Sequence, residues 1–196
     1  MIKIIMHRIN TISELKKVPC SYGVEIDVRS QNNKLILNHD PFKQGEKLSN
    51  WLNFYSHSLL IINVKEEGLE RNIFKLLKKF KVKNFFFLDQ SFPFLIKFLK
   101  FLSKKTAVRF SEYESIETVL NLKNKVNWVW VDCFSKKPMS EIIFRKIKKT
   151  KIKICLVSPE LQGEKNKKKI KYFIKKIKQN ELHPEAVCTK FPQLWN

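Results

Sequence analysis

Residues 59–88 read LLIINVKEEGLERNIFKLLKKFKVKNFFFL, and this stretch predicts the fold. It begins with a nearly continuous apolar run at 59–64 and ends with another at 84–88, the pattern of strands that are covered on both faces. Between the two runs, apolar residues recur at helical spacing over 69–80, with lysines on the opposite face. A strand, a helix and a second strand in this order are typical of a parallel βα unit.

The same alternation extends over the rest of the chain. Further strand-like runs lie at 2–6, 22–28, 106–110, 127–132, 152–157 and 185–189, and further helical stripes lie at 92–102 and 164–178. Helix starts are predicted at Ser91-Phe92-Pro93, at Ser111-Glu112 and at Pro138. Eight strands that alternate with helices favour an α/β fold of the (β/α)8 barrel type, and the alternative is a doubly wound open sheet.

One interval departs from this alternation. The length of the chain limits the number of domains. Residues 30–58 predict an additional strand at 34–37 and a short helix near 46–55. With 196 residues, of which 43% are hydrophobic, the chain is long enough to bury one substantial core. We therefore expect a single domain over residues 1–196.

The strong positive charge does not by itself define a partner. The chain has 39 Lys+Arg against 18 Asp+Glu, a formal net charge of +21, but the lysines are spread over helix-like segments at 71–81, 145–153 and 164–178. Such spacing is typical of solvated helix faces whose lysine stems cover apolar surface. The charge is compatible with an anionic substrate or an anionic membrane surface, whereas nucleic acid is the least favoured partner because no clustered basic-aromatic motif is present.

Hydropathy and cysteine spacing predict a reducing compartment. Every 18-residue stretch carries charge, and the apolar run at the N-terminus is too short for a signal peptide, so we expect a cytoplasmic location. The four cysteines are widely spaced without a CxxC pair, which favours reduced structural thiols.

Two acids on one predicted strand are the first candidates for a functional site. In a barrel, polar residues at the carboxyl ends of the strands point into the active site. Glu25 and Asp27 share a face because side chains alternate along a strand with a period of two. Carboxylates this close repel each other unless a cation lies between them, and oxygen ligands suit Mg²⁺ or Ca²⁺. The alternative is a pair of surface carboxylates on a half-exposed strand.

Two histidines with charged neighbours add the elements of phosphate chemistry. His7-Arg8 ends the first strand, and His39-Asp40 follows the additional strand. Two histidines that flank a phosphate can act as base and acid. Arg8 and Lys65 are candidate cations for the phosphoryl oxygens, Arg8 as a fork and Lys65 as a point charge. His57 and His183 match no such pattern, and we interpret them as structural.

These motifs together resemble those of the glycerophosphodiester phosphodiesterase family. The resemblance rests on His7-Arg8, on Glu25-x-Asp27, on the leucine-rich run that ends in His39-Asp40-Pro41, and on Asn63-Val64-Lys65. It implies a (β/α)8 barrel that hydrolyses phosphodiesters with a divalent metal. It further implies His7 and His39 as the acid/base pair, Arg8 and Lys65 as phosphate contacts, and Glu25, Asp27 and Asn63 as metal ligands.

Three positions depart from the family pattern. Ile9 stands where the family has a glycine after His-Arg, Asn63 stands where a third acidic ligand is expected, and Lys190 replaces an aspartate near the end of the chain. The carboxylates that could replace the missing ligand are Glu66, Asp89, Asp132 and Glu160. Asn63-Val64-Lys65 and Ser158-Pro159-Glu160-Leu161 also resemble a subset of phosphodiesterase-like proteins associated with bacterial surface-polysaccharide synthesis.

The expected function is therefore metal-dependent hydrolysis of a glycerophosphodiester or a related polyol or sugar phosphodiester. A barrel that binds a phosphorylated ligand without cleaving it is the alternative, and Ile9 and Asn63 motivate it.

Overall fold

A computed structural model describes residues 2–102 and 104–195. It divides the chain into two compact units, a first unit of residues 6–105 and a second unit formed by residues 2–5 and 106–195. In both units strands alternate with helices, and all eight predicted strands are confirmed within about one to three residues at their ends. The single domain over residues 1–196 stays a prediction.

The first unit carries the additional hairpin as well as βα units. Its strands after the first are β2 (Gly23–Gln31), β3 (Lys34–Leu37), β4 (Glu46–Lys47), β5 (Leu60–Val64) and β6 (Phe85–Leu88). Its helices are α1 (Ile12–Leu15), α2 (Leu48–Leu52), α3 (Glu70–Lys79) and α4 (Phe92–Leu102). The strand order is β4-β3-β2-β5-β6, in which β3 pairs antiparallel with its two neighbours and the other pairs are parallel.

The alternation of side chains along β2 and β5 separates a core face from a polar face. Val24 and Ile26 of β2, with Leu60 and Ile62 of β5, belong to the apolar cluster beneath α3 and α4. The intervening residues of the two strands point to the opposite face, where Asp27 lies beside Asn63 in the parallel register. Packing of the apolar face thus decides where the polar side chains go.

The second unit contains the first strand and the last four. These strands are β1 (Lys3–Met6, whose last residue falls in the first unit), β7 (Ala107–Phe110), β8 (Trp128–Val131), β9 (Lys153–Val157) and β10 (Ala186–Thr189), in the order β1-β10-β9-β8-β7. The helices are α5 (Ile116–Asn121), α6 (Glu141–Lys149) and α7 (Lys167–Gln179), and the 3-10 turns span Pro159–Gln162 and Pro192–Leu194. Cys133, Cys155 and Cys188 are buried and Cys20 is exposed, and among the described residues none of the four forms a disulfide.

Two of the three predicted helix starts are wrong. Helix α5 begins at Ile116, because the Ser115 hydroxyl accepts a hydrogen bond from the Glu117 N–H and caps it there. Helix α6 begins at Glu141 rather than near Pro138, because Ser140 is the capping residue. At the first of these sites Glu112 instead joins two loops, since its carboxylate accepts hydrogen bonds from the backbone of residues 134 and 135.

We expect Gly45→Ala to lower the free energy of unfolding by more than Gly163→Ala does. A Cβ at Gly45 would lie 2.2 Å from the carbonyl oxygen of Leu37, whereas a Cβ at Gly163 meets nothing within 4 Å. Gly163 has a left-handed φ of +86°, so its alanine variant loses about 1 kcal/mol from backbone strain alone. Urea denaturation measures both values, and equal losses would contradict the close approach at Gly45.

Candidate active site

Glu25 and Asp27 form a buried acidic pair on β2. Their exposed fractions are 1% and 0%, so the interpretation as surface carboxylates is wrong. The backbone N–H of Arg8 donates to Glu25 Oε2 at 2.8 Å, and Asn10 Nδ2 donates to Asp27 Oδ2 at 2.8 Å. The loop after β1 therefore supplies a donor to each acid.

Three of the predicted basic residues surround this pair. Lys65 Nζ lies 3.1 Å from Asp27 Oδ1, and Arg8 Nε lies 3.9 Å from Asp27 Oδ2. His7 Nε2 lies 3.8 Å from Glu25 Oε2. The structure thus brings these three residues and the two acids into one cluster, with a cation beside each oxygen of Asp27.

The pKa of Glu25 is raised because two carboxyl groups are buried next to each other. Burial is the main cause that raises this pKa to about 8, and the negative charge of Asp27 adds to it. The hydrogen bond from Arg8 and the positive charge of Lys65 lower the pKa but do not offset the burial. In the protein without a bound cation, Glu25 is therefore mostly protonated at neutral pH.

Asn63 occupies the position of the expected third metal ligand. It is 7% exposed and lies beside Asp27 on the neighbouring strand. Its Oδ1 atom has no hydrogen-bond partner within the described part of the chain. The oxygen donors of Glu25, Asp27 and Asn63 fit a hard divalent cation. The set provides only two carboxylates, and residues 2–102 and 104–195 contain no group of three His, Cys, Asp or Glu side chains that could hold a metal.

His39 belongs to a different loop and is more exposed. Its Nδ1 lies 2.8 Å from Asp40 Oδ1, and this hydrogen bond is the main cause that lowers the pKa of Asp40. The positive charge of Arg8 also lowers the pKa of Asp40, so the His39 loop lies within electrostatic range of the cluster. Among the described contacts, none joins His39 directly to Asp27 or Glu25.

Ile9 stands where the family pattern has a glycine after His-Arg, and its backbone is hydrogen-bonded to β2. Arg8, not Ile9, adopts the left-handed backbone, with φ of 54°. The Ile9 side chain is 7% exposed and packs into the core of the first unit, while its N–H donates to the Glu25 carbonyl at 2.8 Å. Residue 9 therefore anchors the loop through a buried side chain.

Sequence reasoning missed two residues that position the site. Asn10 holds Asp27 twice, since its Nδ2 donates to the carboxylate and its Oδ1 accepts from the Asp27 N–H at 2.9 Å. Arg29 donates from Nε and Nη2 to the His39 carbonyl at 3.2 and 3.0 Å. The period of two could have found Arg29, because it shares a strand face with Asp27; nothing in the sequence pattern pointed to Asn10.

The acids considered as replacement ligands make contacts of their own. Glu66 accepts from the Ser30 N–H at 3.1 Å, Asp132 pairs with Arg109 at 2.6 Å, and Glu160 accepts from the Lys190 N–H at 2.9 Å. The contact to Glu160 gives Lys190 a structural role through its backbone. The negative charge of the fourth acid, Asp89, contributes, after burial and Asp27, to the raised pKa of Glu25.

We expect Glu25→Gln to change how stability depends on pH in the chelator-treated protein. The folded pKa of Glu25 is about 8 against an unfolded value near 4.5, so the folded state binds the extra proton between these values. Its contribution to stability is fully present below pH 4.5 and is lost as the pH rises through 8. Glu25→Gln should therefore unfold at a higher temperature than the unmodified chain at pH 8.5, with a smaller difference at pH 5.

The matched control for this measurement is Glu117→Gln, at an exposed acid on α5. This variant removes one negative charge from an exposed position and so controls for the change in net charge. Identical pH profiles for Glu25→Gln and the unmodified chain would show that Glu25 ionises normally.

This chain is similar in structure to known proteins over its whole length, whereas comparison of its sequence finds no match. No protein-family model matches the sequence, and no curated protein is significantly similar to it. A glycerophosphodiester phosphodiesterase from Agrobacterium tumefaciens is similar over 100% of this chain and 99% of its own, with 12% identity and a TM-score of 0.68. A glycerophosphoryl diester phosphodiesterase from Parabacteroides distasonis is similar over 97% and 83%, with 11% identity and a TM-score of 0.67.

A third solved structure has the same fold, although the protein is not named as a phosphodiesterase. The tryptophan synthase α subunit from Campylobacter jejuni is similar over 96% of this chain and 86% of its own, with 12% identity and a TM-score of 0.59. The predicted (β/α)8 class is confirmed by these matches. The chain has the fold of the glycerophosphodiester phosphodiesterases, the family that its His-Arg, Glu-x-Asp and His-Asp motifs resemble.

Proposed function

We propose that this chain is a phosphoric diester hydrolase that acts on a glycerophosphodiester or a related polyol or sugar phosphodiester. The observation that carries the proposal is the arrangement around Asp27, a fully buried acid with Lys65 on one oxygen and Arg8 near the other. His7 lies at the same strand end, beside Glu25. The fold shared with the two phosphodiesterases supports this assignment.

Arg8 and Lys65 are the proposed phosphate contacts. A phosphodiester carries one negative charge, and more charge develops on its non-bridging oxygens as the phosphorus becomes five-coordinate. A planar guanidinium can donate to two of these oxygens at once, while an ammonium acts as a point charge. Both cations are held by Asp27 before substrate arrives, and such preorganised charges stabilise a transition state most effectively.

His7 and His39 are the proposed acid and base. One ring removes the proton from the attacking oxygen, which is a neighbouring substrate hydroxyl or water, and the other protonates the leaving oxygen as the P–O bond breaks. If the substrate hydroxyl attacks first, a cyclic phosphate and an alcohol form, and water then opens the ring. The Asp40 carboxylate holds His39 at Nδ1, which directs the remaining ring nitrogen, Nε2, to proton transfer.

Glu25, Asp27 and Asn63 are the residues that would hold a divalent cation, Mg²⁺ or Ca²⁺. When bound, such a cation supplies positive charge for the phosphoryl oxygens. The raised pKa of Glu25 means that its carboxyl must release a proton to serve as a ligand, so binding becomes tighter as the pH rises towards 8.

The remaining parts of the proposal concern the location of the enzyme and its partners. Within the described residues, none of the helices combines the length and the apolar character needed to span a bilayer. We propose a cytoplasmic enzyme with a small phosphodiester as substrate. The net charge of +21 supports an anionic membrane surface as an additional partner.

We expect hydrolysis of glycerophosphocholine or bis-p-nitrophenyl phosphate by the purified chain when Mg²⁺, Ca²⁺ or Mn²⁺ is added. His7→Ala and His39→Ala should each lower kcat by about 10²- to 10⁴-fold, because each removes one proton transfer. Release of choline or p-nitrophenol measures the rate. His183→Ala, at an exposed histidine on another loop, is the matched control and should retain full activity.

The same assay separates hydrolysis from binding alone. Activity that survives both a chelator and His7→Ala would refute the proposed site. Tight binding of the diester without turnover under any of the metals would favour a barrel that binds a phosphorylated ligand without cleaving it.

We expect Asn63→Glu to bind Mg²⁺ or Ca²⁺ on the order of tenfold more tightly than the unmodified chain, because it adds a third carboxylate beside Asp27. Isothermal titration calorimetry measures the affinity. Asn63→Gln has the same length without the charge and serves as the control. Equal affinities in these two variants would place the cation away from residue 63.

A further inference from the structure

We infer that a basic groove beside the proposed active site binds the continuing part of an extended substrate, a phosphate-bearing polyol or sugar chain. The groove is a cavity of about 960 Å³ in the first unit, between the β2–β3 hairpin with the start of α2 on one side and one face of α3 on the other. This inference rests on the proposed hydrolase function and specifies the substrate class of the same site.

The charge of the groove has one sign. Among the described residues that line it, none is acidic and four are exposed lysines: Lys34, Lys47, Lys75 and Lys79. Within residues 2–102 and 104–195, none of the four ammonium groups forms an ion pair with a carboxylate. Lys65 of the active site differs, because it lies 3.1 Å from Asp27. The groove therefore presents uncompensated positive charge, which attracts an anion with several charges.

The remaining lining residues suit hydroxyl-rich units between the charges. Asn33, Asn50 and Asn72 each contribute an amide that can donate and accept hydrogen bonds, as polyol and sugar hydroxyls require. The apolar part is formed by Leu35, Leu69 and Leu76, which lie at the edge of the core. Among the described lining residues none is aromatic, so the groove offers no ring on which nucleic-acid bases could stack.

The groove begins close to the catalytic residues. Ser30 lines it and lies three residues beyond Asp27 on β2, a distance of about 10 Å at the rise of a strand. The Ser30 N–H donates to Glu66, the residue that follows Lys65, at 3.1 Å. Arg29 Nη1 lies 3.8 Å from the same carboxylate and balances its charge. Because Ser30 lies three positions from Asp27, the two side chains point to opposite faces of β2. A chain whose scissile phosphate lies at Lys65 would therefore reach the lysines by crossing the end of β2 beside Ser30 and Glu66.

The size of the groove also favours a chain over a single small diester. Pockets for small molecules have volumes of about 300–1,000 Å³, and this groove lies near the upper limit. One glycerophosphodiester carries one phosphate, which the active-site cations already neutralise. Four further lysines match the additional phosphates of a phosphodiester-linked polyol or sugar.

The decisive experiment compares two sets of lysine substitutions that change the net charge equally. The groove variant replaces Lys34, Lys47, Lys75 and Lys79 with alanine, and the control replaces four exposed lysines before and on α7, Lys165, Lys168, Lys171 and Lys175. Both are made in a His39→Ala background to prevent hydrolysis. The probe is a fluorescein-labelled oligo(glycerol phosphate), and fluorescence anisotropy measures its affinity.

We expect the groove variant to bind this probe on the order of tenfold more weakly, with the control within about twofold of the His39→Ala background. The plot of log affinity against log salt should become shallower by about 3, since each phosphate neutralised in a single-stranded polyanion contributes about 0.7. The pair Lys75→Glu and Lys79→Glu on α3, against Lys171→Glu and Lys175→Glu on α7, repeats the comparison should the fourfold variant fail to fold.

Two outcomes would overturn the inference. Equal losses in the groove and control variants would mean that net charge alone attracts the probe. A single-stranded poly(U) that binds as tightly as the oligo(glycerol phosphate), with the same dependence on the groove lysines, would identify a nucleic-acid site instead.

Turnover of glycerophosphocholine by the unmodified chain tests the proposed function separately. Groove-dependent binding without turnover would retain the groove as a polyanion site and refute the hydrolase. Turnover of glycerophosphocholine together with oligomer binding no tighter than that of glycerophosphocholine would retain the hydrolase and refute the groove.

Discussion

The burial of two carboxylates on one strand is the constraint on which the site depends. A charge removed from water is costly unless it is paired or hydrogen-bonded, or the group takes up a proton. Asp27 meets this requirement through Asn10, Lys65 and Arg8. Glu25 meets it through the Arg8 N–H and through a pKa raised by burial to about 8. The residues that would bind a phosphate are thus the ones that make this burial tolerable.

Contacts with the backbone position the two loops that carry His7 and His39. The left-handed residue Arg8 and the buried Ile9 hold the loop after β1 against β2, so that its N–H groups face Glu25. Farther along β2, Arg29 holds the loop that carries His39 by its carbonyl. Strand β2 therefore positions both histidine loops, although His39 itself does not contact the acidic pair. Loops fixed by a rigid scaffold are where catalytic side chains are commonly found.

The lysines of this chain differ from one another in their electrostatic surroundings. Lys65 lies against a buried carboxylate, and its charge is largely compensated until an anion binds. Lys75 and Lys79 lie on an exposed helix face that borders a cavity with no acidic residue among its described lining. The net charge of +21 treats these lysines alike. Only their neighbours in space separate a lysine that is paired with a buried carboxylate from lysines that have no carboxylate partner among the described residues.

The strands, the (β/α)8 class and the motifs were predictable from the amino-acid sequence, because the period of two and the apolar runs are local properties. Local periodicity also placed Glu25 and Asp27 on one face. It misplaced the starts of α5 and α6, since capping depends on which serine hydroxyl reaches a free N–H. The contact of Asn10 with Asp27 is visible only in the folded chain, because the path of a loop is set by packing between distant segments.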